Sequence, residues 1–121
     1  MVPWVASVEA LAELCTALDG ATLVAVDTEF VREKTYYPQL CLIQVATRDF
    51  AACVDCLAPL ELGPLFERLF RADRAWVLHS ARQDLEVVWQ RAERLPPRLI
   101  DTQIAAALIG WPPQLGLEGL L

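Results

Sequence analysis

Asp27 and Glu29 stand two residues apart after the apolar run Leu23-Val24-Ala25-Val26. In an extended chain, residues i and i+2 share a face. The two carboxylates are therefore expected to project together, about 7 Å apart at the backbone. Like charges beside apolar residues repel unless something compensates them. Clustered oxygen ligands suit a hard divalent cation such as Mg2+ or Mn2+. Taken alone, the pair reads first as a solvated strand end with two ordinary surface acids. Asp84 adds to the first reading. It lies near the start of a predicted helix, in Leu78-His79-Ser80-Ala81-Arg82-Gln83-Asp84, after another apolar strand. Leu99-Ile100-Asp101-Thr102 repeats the order strand, acid, helix. In an alternating β/α chain such acids gather along one edge of a sheet. Asp27, Glu29 and Asp84 are thus expected to meet there.

The elements that must position these acids follow from periodicity and breakers. Ser7 caps a predicted helix over Val8 to Leu18, which ends at Asp19-Gly20. Thr22 to Thr28 reads as the first strand, Arg32 to Gln39 as a loop, and Leu40 to Ala46 as the second strand. Thr47-Arg48-Asp49 is a tight turn into a third strand, Phe50 to Val54. Pro64 opens a helix to about Arg71, and Ala75 to Leu78 is a short strand. Ser80-x-x-Gln83 is a capping-box pattern opening a helix to about Ala92. Leu99-Ile100 is a brief strand, and Thr102 to Ile109 a helix for which Asp101 is the expected N-cap. The order α-βββ-α-β-α-β-α predicts an α/β fold: an antiparallel three-strand meander, then β/α units, in a mixed sheet flanked by helices.

Composition narrows the function. The 121 residues suit one domain, and 55% hydrophobic content supplies a core. No apolar run is long enough to span a bilayer. The N-terminal residues lack the basic-then-apolar pattern of a secretory signal, so a cytoplasmic protein is the expectation. A net charge of −6 argues against a general basic nucleic-acid surface. It leaves room for a metal-dependent nuclease, in which bound ions attract phosphate and the negative charge is partly the ligand set. Arg32 and Lys34 follow the first acidic pair and read either as phosphate contacts or as a solvated loop. Cys53-x-x-Cys56 has a zinc-like spacing, but a second pair is missing and the only histidine, His79, lies far along the chain. Buried or half-buried thiols are the preferred reading; a small zinc or redox protein is the alternative.

Three blocks resemble the ribonuclease D family. Asp27-Thr28-Glu29-Phe30-Val31-Arg32 with Thr35-Tyr36-Tyr37-Pro38-Gln39-Leu40 and Leu42-Ile43-Gln44 is similar to its first exonuclease motif. Leu78-His79-Ser80 through Asp84-Leu85-Glu86 is similar to the second, and Asp101-Thr102-Gln103-Ile104-Ala105 to the segment after it. The resemblance runs in register from Trp4 to about Leu120. It implies the ribonuclease H-like fold of the DEDD 3′–5′ exonucleases. It also implies two Mg2+ or Mn2+ ions about 4 Å apart. Asp27 would bridge them, Glu29 would hold the ion carrying the attacking water, and Asp84 would support the second. The implied partner is the 3′ end of single-stranded RNA, such as a tRNA precursor, with release of 5′-mononucleotides. Phe30, Arg32, Tyr36 and His79 are candidate substrate contacts. Core packing is the preferred role for Phe30 and a structural or supporting role for His79, while Tyr36 and Tyr37 stay open between stacking on bases and other roles.

One part of the family pattern has no counterpart. The third motif, a tyrosine followed by a fourth metal-binding aspartate, should come downstream, but no tyrosine follows Tyr37 and no aspartate follows Asp101. Residues 1–121 therefore read as a partial, C-terminally truncated exonuclease domain, weak or inactive by itself. A non-catalytic nucleic-acid-binding or interaction module on the same fold is the alternative. The apolar end, Leu115 to Leu121, is an expected seam for self-association.

Overall fold

The computed structural model describes residues 2–33 and 36–121. The suggestion made for Lys34 lies outside them. Strand β1 (Trp4–Val5) precedes helix α1 (Val8–Leu18). Strands β2 (Leu23–Val31), β3 (Gln39–Ala46) and β4 (Ala51–Asp55) follow, then helix α2 (Gly63–Leu69). Strand β5 (Ala75–Leu78), helix α3 (Arg82–Ala92), strand β6 (Arg98–Asp101), helix α4 (Thr102–Leu108) and the short helix α5 (Leu117–Leu120) complete the chain.

The strands form one sheet in the order β1-β4-β3-β2-β5-β6. β2, β3 and β4 are the expected antiparallel meander, while β5 and β6 add in parallel beside β2. Alternation along the strands sorts the residues. Val24, Val26, Ile43, Val45, Val54, Trp76 and Leu78 are buried in the core with Leu14, Leu18, Leu65, Leu69, Val87 and Val88 of the first three helices. The register slips between Glu29 and Phe30, whose partners on β3 are Leu42 and Leu40. Cys41 is the extra residue. The slip lets Leu40 join Ile43 and Val45 in the core despite its opposite parity.

Several boundaries differ from those read in the sequence. β2 runs on to Val31 rather than ending at Thr28, because β3 pairs with it as far as Val31 opposite Gln39. Asp27 and Glu29 therefore lie inside a strand. β1 and α5 were not anticipated, each being too short to show a period. The capping box at Ser80 is not formed. The N-cap of α3 is Ala81, with no side-chain cap. Ser80 instead takes a left-handed backbone, φ 59°, and donates its N–H to Asp101 Oδ1 at 3.0 Å.

Arg74 is fully buried just before β5. Its Nε donates to the Ala21 carbonyl at 2.9 Å, and its terminal nitrogens donate to the carbonyls of Leu18 and Arg68. One guanidinium thus ties the carbonyls at and just after the end of α1 to that of Arg68 near the end of α2. Burial pushes its pKa down from the ordinary arginine value, and the neighbouring Arg71 charge adds to the shift.

Candidate functional site

The parallel ladder of β2 with β5 covers only Leu23 to Ala25. Beyond it the β5 side of β2 has no strand partner, because the chain leaves β5 at Leu78 and turns into α3. Backbone N–H groups must still be satisfied. Asp84, in the first turn of α3, supplies the missing acceptor. Its Oδ1 takes the Thr28 backbone N–H at 3.1 Å and the Thr28 hydroxyl at 2.5 Å. Thr28 is 6% exposed and Asp84 8%. Asp84 thus bonds the residue that separates Asp27 from Glu29.

Asp27 and Glu29 point to the opposite face from Thr28 and are exposed. Asp27 Oδ2 receives a long bond of 3.4 Å from Nε2 of Gln44, its partner across the β2–β3 ladder. Among the described residues neither acid forms a salt bridge. Burial raises the Asp84 carboxyl pKa. Its hydrogen bond from the Thr28 side chain opposes the rise, and the nearby Asp27 charge adds to it. The edge therefore carries uncompensated negative charge where β2 lies between an antiparallel and a parallel neighbour. In open α/β sheets such a change of strand order is where ligands bind.

Among the described residues no three His, Cys, Asp or Glu side chains stand close enough to hold a metal ion. The donor chemistry nevertheless fits a hard divalent cation. Mg2+ is commonly held by one or two carboxylates, with water and substrate phosphate completing its shell. The buried Asp84 and the exposed Asp27, whose charge acts on it, are such donors, and Glu29 shares the Asp27 face. Cys53 and Cys56 are free and half-buried, as is Cys41. Burial pushes the Cys56 thiol up to about 11, which disfavours the thiolate that zinc requires.

The remaining candidates fall in two places. Phe30 is half-buried against the core. Arg32 pairs with Glu86 of α3 at 2.7 Å, both being about half exposed. Tyr36 is 84% exposed, and its ring meets that of Tyr37 edge-on, with centroids 5.0 Å apart. Arg32, Tyr36, Tyr37, Glu86 and Gln90 line one surface cavity. His79 lies elsewhere, with Asp27 and Gln44, in a mostly apolar groove of about 530 Å³ on the other face of the sheet. Its Nδ1 meets the Thr102 hydroxyl at 2.8 Å and its Nε2 meets the Leu115 carbonyl at 2.7 Å. A carbonyl only accepts, so Nε2 carries a proton.

Asp101 is the N-cap of α4, as its position indicated, and it does more. Oδ1 accepts from the N–H groups of Ser80, Gln103 and Ile104, and Oδ2 from that of Ala81. Burial raises its pKa, but the donors from Ala81, Ser80, Gln103 and Ile104 outweigh burial and the net shift is downward. One carboxylate thus ties the left-handed turn before α3 to the start of α4. Loss of these bonds in Asp101→Ala is expected to cost about 2–4 kcal/mol in urea unfolding. A depressed carboxyl contributes stability above the ordinary aspartate range, about 3.9, and loses it as pH falls through its lower folded value. Asp101→Asn should therefore flatten the acid side of the stability profile. A profile below pH 4 as steep as that of the wild type would contradict this role.

A sequence profile of the 3′–5′ exonuclease family matches residues 2–121. The chain belongs to that family. The 3′–5′ exonuclease chain is 42% identical over 112 residues to ribonuclease D of Nitrobacter hamburgensis, covering 92% of this chain and 29% of the relative. It is 42% identical over 121 residues to ribonuclease D of Zymomonas mobilis, covering 98% of this chain and 31% of the relative. Escherichia coli RNase D, an exoribonuclease involved in structured RNA processing, superposes with a TM-score of 0.92 at 39% identity over 99% of this chain and 32% of its own. The exonuclease fold here is therefore ribonuclease H-like, and the chain spans about a third of the length of these relatives. Among its described residues no helix is long and apolar enough to cross a membrane.

Thr28 is the residue that sequence reasoning missed. Its signal was available: it is a polar residue on the buried face of a strand whose other buried residues are Val24 and Val26.

Proposed function

We propose that residues 1–121 form part of an exoribonuclease domain of ribonuclease D type, acting in the cytoplasm on the 3′ ends of RNA such as tRNA precursors. The observation that carries the reading is the Asp84 carboxylate bonded to Thr28 between Asp27 and Glu29. Asp27, Glu29 and Asp84 would hold two divalent ions, Mg2+ or Mn2+. When bound, such ions stabilise the attacking and leaving oxygens of an in-line phosphodiester displacement. Tyr36 and Tyr37 offer faces on which terminal bases stack. Arg32 offers a guanidinium that exchanges its exposed Glu86 partner for a phosphate. An exposed pair of this kind is worth only about 0–1 kcal/mol, so the exchange is not costly.

The family's tyrosine and fourth aspartate have no counterpart among these residues. We therefore expect the chain alone to release 5′-mononucleotides from a 3′-hydroxyl RNA oligomer slowly, far below the 1–10³ s⁻¹ of typical enzymes. Incubation with Mn2+, with and without Asp27→Ala, tests this. Fast Mn2+-dependent release would refute the weakness. RNA binding without any release or Mn2+ dependence would favour the non-catalytic module instead. The exposed Leu117 and Leu121 offer apolar surface for self-association. Size-exclusion chromatography giving one monomeric peak across concentrations would count against that part of the reading.

A further inference from the structure

We infer that Thr28 is a positioning residue for the acidic edge: its hydroxyl and N–H fix the Asp84 carboxylate for divalent-ion binding. The inference rests on the metal reading above and goes beyond it by assigning the work to a residue that carries no charge.

Alternation in β2 sends Asp27 and Glu29 to one face and Thr28 to the other, where α3 packs. Thr28 is the one polar member of the buried face formed with Val24 and Val26. A valine there would fill nearly the same volume and suit a strand equally well. What valine lacks is the donor. Both Thr28 bonds end on the same oxygen, Asp84 Oδ1, at 2.5 and 3.1 Å. Oδ2 takes no part in them. The link joins positions 56 residues apart, between the middle of β2 and the first turn of α3. Without it, a buried carboxylate near the Asp27 charge would favour turning away from its neighbour. Groups that orient metal-ligating side chains in this way typically contribute about 10–100-fold to metal affinity.

The test is isothermal titration of the purified chain with Mn2+, with the Mn2+ resonance signal as a second readout. Wild type, Thr28→Ser, Thr28→Val and Asp27→Asn are compared after circular dichroism has checked their folding. Serine keeps the hydroxyl, so its affinity should stay within about threefold of wild type. Folded Thr28→Val should bind about 10–100-fold more weakly. Wild-type affinity in folded Thr28→Val would overturn the inference while leaving the metal reading intact, provided Asp27→Asn still abolishes binding. Weak binding by Thr28→Ser would also overturn it, even if the valine variant fails to fold, because the donor is then present and ineffective. Absence of Mn2+ uptake by the folded wild type would remove the metal reading and this role together.

Discussion

Arg74→Met is expected to lower the unfolding free energy by about 3–5 kcal/mol, measured by urea denaturation. The side chain has 0% exposure and donates to the carbonyls of Ala21, Leu18 and Arg68. Methionine fills much of the volume but removes three charge-assisted bonds; the Leu18 and Arg68 carbonyls keep only the N–H groups of Ala21 and Arg71. Each hydrogen bond to a charged group contributes about 1.5–3 kcal/mol. Relief of the guanidinium's own burial offsets part of that sum. Domains of this size are stable by about 5–15 kcal/mol, so the variant should be marginal at 37 °C. Arg74→Lys should fall between the two, since a single ammonium lacks the planar fork that reaches three separate chain segments. A loss below about 1 kcal/mol for Arg74→Met would show that water or backbone relaxation replaces the guanidinium.

Asp27→Asn is expected to reduce Mn2+ affinity by more than about 100-fold, because loss of a ligand should exceed the loss of a group that merely orients one. Asparagine matches aspartate in shape, and Asp27 is exposed with one long bond to Gln44. The fold should therefore survive. Metal-free stability should rise slightly, since the charge that adds to the upward shift at Asp84 is gone. The sign at Asp84 follows from its direction. A carboxyl raised in the folded state contributes stability at low pH that is lost as pH rises through the folded pKa. Added Mn2+ should restore stability at neutral pH in the wild type and not in Asp27→Asn. Equal thermal shifts with Mn2+ in both proteins would mean that the ions bind elsewhere.

Much of the architecture was legible because its causes are local. Apolar period, Ser7 before α1, Asp101 before α4, the break at Gly20 and Pro64 in the first turn of α2 lie within a few residues of what they control. The same holds for Asp27 and Glu29, whose shared face follows from the two-residue period of a strand. Ser80 misled for the converse reason. Its pattern fits a capping box, but Asp101, 21 positions away, takes its N–H and holds the turn in another conformation.

The sequence by itself settled which acids the chain carries, their order among strands and helices, and the family blocks they sit in. Tertiary structure decided the partners: Asp84 on Thr28, Arg32 on Glu86, His79 between Thr102 and Leu115, and Arg74 on three carbonyls. Local pattern fixes which way a side chain points. Which donor meets which acceptor depends on distant segments packed together and on polar groups that burial leaves in need of partners.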